Sequence, residues 1–152
     1  MKKILFSTIL LGIIVSSTTH LYAQSIDLIK KLEQKSLHIA AHRGAHLEQP
    51  ENSIAAIEEA IRQGASVVEV DVRATKDGVL VLMHDKTVNR TTTGQGEVAK
   101  QTYAELQQLH LRKKANGEGS DHVIPTLSEA LRVAKGKILV DLDFKEDRKE
   151  FI

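Results

Sequence analysis

The stretch "SVVEVDVRATKDGVLVLMHD", residues 66–85, decides the fold class of this chain. Its valine-rich first part, residues 66–73, and the apolar segment at 79–85 both predict β-strands. Residues 76–78, "KDG", predict a tight turn between them. The link is too short for the crossover helix that joins parallel neighbours. The two strands therefore pair antiparallel or use a tight, unusual connection, and the pattern leaves both possibilities open.

Helical and strand patterns alternate on both sides of this stretch. We predict a leading helix at 25–36, a strand at 37–41, a helix at 51–65, a short helix at 102–109, a helix at 126–136 and a strand at 137–145. Gly64 is the expected stop of the second helix, and Thr126 with Glu129 forms a capping-box pattern. Apart from the short helix, residues 86–124 are the least regular part. Strands that alternate with helices predict an α/β domain with a largely parallel sheet.

The first 23 residues have the layout of a signal peptide. Lys2 and Lys3 precede a short apolar run, and Ala23 offers a small residue for cleavage. A membrane anchor is the alternative, but the run is too short to span a bilayer comfortably and a polar segment follows it. We therefore predict a secreted or periplasmic protein, with a signal peptide at 1–23, a domain at 24–152 and no stable membrane anchor after cleavage.

Composition narrows the kinds of partner and metal site. The chain has 152 residues, a net charge of +1, 3% aromatic residues and no cysteine. The weak net charge and the scarcity of aromatic rings argue against a nucleic-acid surface. The lack of cysteine excludes disulfides and thiolate metal sites, so any metal must bind oxygen or imidazole ligands.

Ionisable residues stand in or at the end of every predicted strand of the domain. They are His42, Arg43, Glu69, Asp71, His84, Asp85, Asp141, Asp143 and Lys145. In α/β sheets and barrels the carboxyl ends of the strands gather at one rim, where sites form. Contributions from several strands to one rim are a stronger signal than any one of these residues alone.

Two carboxylates on the central strand suggest a metal site. Glu69 and Asp71 are two positions apart, so their side chains face the same way. They repel each other unless a cation lies between them, and Asp143 could supply a third oxygen. Three carboxylates suit a hard ion, Ca²⁺ or Mg²⁺, better than zinc. Salt bridges are the alternative, with Arg43, Arg73 or Lys145 as basic partners.

Histidines and basic residues complete the candidate site. His42 and His84 are candidates for a general acid and base, because imidazole titrates near neutral pH. Arg43 offers a planar fork that matches phosphate oxygens, and Lys145 offers a second positive charge. With a metal, these groups are the parts needed to cleave a phosphate ester. A packing or capping role is the alternative for any single histidine, and we assign it to His38, His46, His110 and His122.

Six segments together resemble the glycerophosphodiester phosphodiesterase family. In chain order they are "HRG" (42–44), "PENS" (50–53), "EVDVRATKDGVLVLMHD" (69–85), "NRTTTGQG" (89–96), "IPTLSEAL" (124–131) and "DFK" (143–145). They follow the family's order and spacing over most of the domain. "HRG" alone is a weak signal, whereas the combination is highly specific.

The resemblance implies a TIM-barrel-like (β/α)8 fold, of which this chain offers about the first half. It implies a site at the carboxyl rim of the barrel. It also implies hydrolysis of small-molecule glycerophosphodiesters, such as deacylated phospholipids, to glycerol 3-phosphate and an alcohol. The implied cofactor is a divalent cation, with Ca²⁺ favoured over Mg²⁺.

The resemblance also assigns roles to acidic and imidazole side chains. His42 and His84 correspond to the acid/base pair. Glu51 corresponds to a site-supporting or metal-proximal carboxylate. Asp85 either orients His84 or contacts the glycerol side of the substrate. The remaining correspondences are Glu69 and Asp71 as metal ligands, and Arg43 and Lys145 as phosphate contacts.

The chain departs from the family pattern at two positions and in length. Ser53 stands where the family usually has Thr. Asp143 stands where Glu is expected as the third metal ligand, so it reaches the metal through water or the metal shifts, with Asp141 as a substitute. The family barrel has eight strands and this sequence offers about four. An open half-barrel would expose apolar surface and unpaired strand edges.

These departures leave other functions open. The chain as given is then an inactive piece, or a half-barrel that binds only metal or phosphate, or part of an oligomer that completes the barrel in trans. A third interpretation keeps the fold and the chemistry but changes the substrate, as in a phospholipase-type enzyme that cleaves another phosphodiester lipid.

Overall fold

The computed structural model describes residues 26–34, 37–114 and 117–145. The predicted signal peptide and the charged segment after Lys145 lie outside these residues. The chain divides into two compact units, Met1–Leu37 and His38–Ile152. In the described parts of both units, no helix has the length and apolar character needed to cross a membrane.

The first unit contributes one described helix, α1, over residues 26–33. It confirms the predicted leading helix, which ends at residue 33, before the predicted end at 36. Lys31 Nζ lies 2.6 Å from Asp27 Oδ2 one turn earlier. Such an exposed pair stabilises a helix only slightly.

The second unit contains all the strands and the other helices among the described residues. In chain order the elements are β1 (Ala40–Ala41), α2 (Ile54–Arg62), β2 (Val67–Ala74), β3 (Leu80–Leu82), a 3-10 turn (Val98–Lys100), α3 (Tyr103–Leu106), β4 (His110–Arg112), β5 (Gly119–Val123), α4 (Leu127–Ala134) and β6 (Leu139–Phe144). The α/β class predicted from the sequence is confirmed.

Strand β2 is the centre of the main sheet. β6 pairs parallel to it over six residues, and β1 pairs parallel to its first two residues. β3 pairs antiparallel to its last three residues. Because β6 pairs with Val67–Val72 along one edge of β2, β1 and β3 share the other edge, one at each end. The antiparallel alternative for the stretch at 66–85 is therefore the observed one.

The two faces of β2 carry different kinds of side chain, one apolar and one charged. Val68, Val70 and Val72 are fully buried in a core cluster with residues of α2 and α4. Side chains alternate along a strand, so this apolar face leaves Glu69 and Asp71 on the opposite face. The packing of the helices therefore fixes the direction in which the carboxylates point.

Local capping sets where the helices begin and end. Thr126 Oγ1 accepts from Glu129 N at 3.1 Å, and Glu129 Oε2 accepts from Thr126 N at 2.8 Å, which confirms the predicted capping box. Ser53 Oγ caps α2 by accepting from Ala56 N at 3.0 Å. Gly64 follows the end of α2 with φ +76°, a conformation that favours glycine, so it is the predicted stop.

The region at 86–124 is more ordered than its sequence predicts. β4 and β5 form an antiparallel hairpin, and a second apolar cluster lies beneath the connecting segments. β5, "GSDHV", has one apolar residue at its end, so hydrophobic periodicity cannot detect it. Pairing with β4 specifies this strand instead, together with a hydrogen bond from Ser120 Oγ to the carbonyl oxygen of Leu111 at 2.7 Å.

Candidate active site

A sharp turn after β1 carries the first pair of candidate residues. Arg43 and Gly44 have φ values of +55° and +82°. A Cβ atom at Gly44 would lie 2.6 Å from the Cβ atom of Ala56 in α2. Only glycine tolerates both the backbone conformation and this approach. The turn brings Arg43 N to 2.8 Å from Glu69 Oε2, so the backbone itself fastens β1 to the polar face of β2.

The acidic residues predicted as metal ligands come together on this face. Glu69, Asp71 and Asp143 each place a carboxylate oxygen within 4.8 Å of the others. Asp71 and Asp143 are register partners on β2 and β6. Asp141, the alternative third ligand, is a register partner of Glu69 but does not belong to this group.

Asp71 has the surroundings expected of a cation ligand. Its side chain is 1% exposed, and its Oδ1 makes no hydrogen bond with any described residue. A buried carboxylate oxygen without a hydrogen bond is costly unless a cation compensates it. Three carboxylates without sulfur or imidazole fit a hard divalent cation. The donor set and the lack of a hydrogen bond at Oδ1 of Asp71 therefore fit the metal that the sequence predicts.

Basic side chains surround the same carboxylates, as the salt-bridge alternative predicts. Arg43 Nε lies 3.5 Å from Asp71 Oδ2, and Lys145 Nζ lies 3.5 Å from Asp71 Oδ1. Lys145 Nζ is also 2.5 Å from Asp143 Oδ2, and this hydrogen bond is the main cause that raises the pKa of Lys145. The two interpretations of the carboxylates are thus compatible, because the cations flank the group without bonding every oxygen.

Arg73, the third basic residue of the salt-bridge alternative, holds the strand ends. Its Nε and Nη2 donate to the carbonyl oxygen of His84 at 2.9 and 2.7 Å, and Nη1 donates to the carbonyl oxygen of Lys145. One guanidinium on β2 therefore fixes the backbone at two other candidate residues.

His84 and Asp85 form a directly bonded pair after β3. His84 Nδ1 lies 2.7 Å from Asp85 Oδ1. An ionised carboxylate only accepts hydrogen bonds, so Nδ1 donates its proton to Asp85 and Nε2 is left for other partners. This geometry fits the first of the two roles predicted for Asp85, that of orienting His84. On the other side of the site, His42 is 67% exposed, with Nε2 4.0 Å from Glu69 Oε2.

Glu51 lies outside the group of three carboxylates. Its oxygens accept from Arg90 Nη1 and Nη2, each at 2.8 Å, and from Arg43 Nη1 at 3.0 Å. Burial acts to raise the pKa of Glu51, but the hydrogen bonds and charges of both arginines outweigh it and hold the pKa below its usual range. Of the two roles that the sequence predicts for Glu51, these contacts favour the site-supporting one.

Two residues of the site have no role in the sequence analysis. Asn52, buried at φ +54°, donates from Nδ2 to Asp71 Oδ2 at 2.7 Å and accepts from Asp71 N at 3.0 Å. Arg90 joins Glu51 to Asp85. Both residues lie within segments that carry the family resemblance. Asn is also one of the few residues enriched at positive φ, which is the one local signal for Asn52.

The residues of this site lie within a region that is similar to known proteins. Residues 42–151 match the model of the "Glycerophosphoryl diester phosphodiesterase family". The chain is 42% identical to the glycerophosphodiester phosphodiesterase of Caldanaerobacter subterraneus subsp. tengcongensis, over 70% of this chain and 44% of that protein. It is 45% identical to mouse glycerophosphodiester phosphodiesterase 1, over 60% of this chain and 28% of that protein.

A solved structure extends the similarity to three dimensions. An Oleispira antarctica phosphodiesterase, in complex with the product sn-glycerol-3-phosphate, matches with 36% identity and a TM-score of 0.65. The match covers 72% of this chain and 45% of that one. The fold is therefore part of a TIM-type barrel, as the sequence predicts. The chain spans less than half the length of each of these relatives.

Proposed function

Since the chain belongs to the glycerophosphoryl diester phosphodiesterase family, we propose that it serves in the metal-dependent hydrolysis of glycerophosphodiesters to glycerol 3-phosphate and an alcohol. The observation that carries the proposal is the group of Glu69, Asp71 and Asp143, in which Oδ1 of Asp71 has no hydrogen bond with a described residue, beside Arg43 and Lys145. Anionic ligands next to cations suit a metal and a phosphate held side by side.

The three grouped carboxylates would hold the metal. When bound, a divalent cation polarises a phosphoryl oxygen and stabilises the charge that develops during cleavage. We favour Ca²⁺ over Mg²⁺, because Ca²⁺ accepts irregular coordination whereas Mg²⁺ demands a near-ideal octahedron. Asp143 supports this choice, since it is shorter than the Glu expected there.

Arg43 and Lys145 would bind the phosphate. Both already border the carboxylates, and Arg43 Nε has no hydrogen-bond acceptor among the described residues. A guanidinium N–H and an ammonium suit two phosphate oxygens, and their charges offset the negative charge of the diester.

His42 and His84 would move the protons. One imidazole removes the proton from the attacking oxygen, while the other protonates the alcohol oxygen as its bond to phosphorus breaks. Asp85 holds the His84 ring through Nδ1, so Nε2 exchanges the proton. Glu51 and Asn52 support Arg43 and Asp71 through hydrogen bonds.

The rest of the proposal concerns substrate and location. The product in the Oleispira structure supports a glycerophosphodiester as the small-molecule substrate. The sequence at 1–23 supports export to the periplasm or the medium, with no membrane anchor after cleavage. The weak net charge and scarce aromatic residues support the absence of a nucleic-acid partner.

Release of glycerol 3-phosphate from glycerophosphocholine tests the proposal. The purified chain is assayed with Ca²⁺, with Mg²⁺ and with EDTA. We expect release that EDTA abolishes, and a fall of about 100-fold or more in His42→Ala and His84→Ala. His110→Ala, in the separate hairpin, is the matched control and should retain activity. Full activity in either of the first two variants would contradict the assigned proton transfers.

Metal binding and hydrolysis are separate parts of this proposal, and a chain that binds the metal without hydrolysis would support only the first. Calorimetric titration with CaCl₂ separates the two functions. Binding that disappears in Asp71→Asn, together with no release of glycerol 3-phosphate, would favour the binding function. Release accompanied by a dimer in light scattering would indicate a site completed between two chains.

A further inference from the structure

We propose that Arg90 is a positioning residue that joins the two sides of the site into one unit. This inference rests on the proposed function, but its test also has a readout that needs no catalysis. Arg90 lies between two carboxylates, each of which bonds another residue of the site. Its position is set by hydrogen bonds that use almost the whole guanidinium group.

The bonds to Arg90 are bidentate on both sides. Nε and Nη2 donate to the two oxygens of Asp85 at 2.7 and 3.0 Å. Nη1 and Nη2 donate to the two oxygens of Glu51 at 2.8 Å each. A guanidinium has five N–H groups in a fixed fork, so these four hydrogen bonds leave one. Most N–H groups of Arg90 are therefore used in hydrogen bonds within the protein, which leaves little capacity to bind a phosphate.

The carboxylates continue the connection in both directions. Asp85 accepts from Arg90 through the same Oδ1 that contacts His84 Nδ1. Glu51 accepts from Arg90 and from Arg43 through the same Oε1. An unbroken series of hydrogen bonds thus runs from the ring of one proposed proton-transfer residue to a proposed phosphate contact.

These hydrogen bonds connect two segments that the main sheet does not join directly. Glu51 belongs to the segment between β1 and α2, whereas Asp85 follows β3, which pairs at the opposite end of β2. Without Arg90, two carboxylates would face each other across this gap. Repulsion and lost hydrogen bonds would then release both His84 and Arg43 from their fixed orientations.

Kinetics and spectroscopy of Arg90→Met and Arg90→Lys test the proposal in the full chain. In Arg90→Met we expect kcat to fall about 10- to 100-fold, with a smaller rise in KM from the freed Arg43, because misplacement of a reacting group slows chemistry more than binding. Arg90→Lys should lie between the wild type and Arg90→Met, since an ammonium keeps the charge but cannot bridge four oxygens. A wild-type rate in Arg90→Lys would overturn the role of the guanidinium group of Arg90.

The readout without catalysis is the ¹⁵N spectrum of the His84 ring, assigned by comparison with His84→Ala. We expect the Nδ1 and Nε2 shifts to change in Arg90→Met. Arg62→Met is the matched control, because Arg62 also holds one carboxylate with two nitrogens, on the exposed face of α2. It should leave the spectrum and the rate unchanged.

The two proposals fail in different ways. If the wild type releases no glycerol 3-phosphate, the proposed function fails, while the His84 spectra still decide the role of Arg90. Wild-type His84 shifts in a folded Arg90→Met chain would overturn the positioning role. A rise in KM at unchanged kcat would also overturn it, since Arg90 would then be a substrate contact.

Discussion

At the scale of single residues, Asp71 shows how a buried charge is retained on a strand. Asn52 bonds both its carboxylate and its backbone N–H, while Arg43 and Lys145 lie at 3.5 Å on two sides. A buried charge that loses such partners is strongly destabilising. The residues around Asp71 therefore serve stability as well as the proposed chemistry.

Asn52→Ala should destabilise the protein and weaken metal binding. The substitution removes both hydrogen bonds to Asp71 and places alanine at positive φ, so we expect the free energy of unfolding to fall by about 2 kcal/mol or more. Urea unfolding followed by circular dichroism measures the change. Asn89→Ala is the control, because Asn89 makes an exposed hydrogen bond to Gly96 N. An equal loss in both variants would contradict the importance of burial.

Gly44→Ala should cost more stability than Gly64→Ala. Both glycines have positive φ, so each alanine adds about 1–2 kcal/mol of backbone strain. Only at Gly44 does the new Cβ also meet α2, at 2.6 Å from Ala56 Cβ, whereas a Cβ at Gly64 would meet no described residue within 4 Å. Thermal unfolding of the two variants isolates the contribution of the contact. Equal melting temperatures would mean that the turn after β1 moves freely away from α2.

At the scale of elements, α4 illustrates a boundary set by local hydrogen bonds. Thr126→Ala removes the side-chain half of its capping box, so we expect a loss of about 1 kcal/mol in the free energy of unfolding. Ser128→Ala, at an exposed position inside the same helix, is the control and should have little effect. Chemical denaturation of both variants makes the comparison, and a similar loss in both would exclude capping as the cause.

The elements also show which signals a single sequence carries. β2 and α4 were predictable because valine enrichment and a capping box are local patterns. The β4–β5 hairpin was not, since β5 is polar and depends on its partner strand. Among the site residues, the strand-end groups were predictable from their positions. Arg90 was not, because Glu51 is its partner at a separation of 39 residues and no spacing rule connects them.

At the scale of the whole molecule, stability should depend on pH in the acid range, because Arg90 binds the carboxylate of Asp85. Hydrogen bonds from Arg90 lower the pKa of Asp85 from 3.8 to about 2, against the opposing effect of burial. A lowered carboxyl pKa stabilises the folded state above the unfolded value, and this stability disappears as pH falls through the folded value.

Asp85→Asn should therefore flatten the loss of stability between about pH 4 and pH 2. Melting temperatures across this range, measured by circular dichroism, give the slope. Asp121→Asn, in the exposed part of the hairpin, should keep the slope of the wild type. If Asp85→Asn keeps it too, the carboxyl of Asp85 does not remain ionised in the way that its contacts require.

The main sheet also presents apolar side chains at its two outer strands. Ile39, next to β1, is 57% exposed, and Leu139 and Phe144 of β6 are 41% and 42% exposed. Within the described residues, neither strand has a partner on its outer edge. Apolar, unpaired edges favour association with further strands. Light scattering at increasing protein concentration would show whether copies of this chain associate through them.

The connections of Arg73 on β2 have a consequence for the order in which the molecule assembles. Its contact with His84 spans 11 residues, whereas its contact with Lys145 spans 72. Short loops close sooner and at lower entropic cost than long ones. We therefore expect the β2–β3 hairpin to form early, with Glu69, Asp71 and His84 already in place, and β6 to dock late. Asp143, on β6, then joins the site last. A cation that needs all three carboxylates can therefore bind only after β6 has docked, and it would stabilise the last stage of folding.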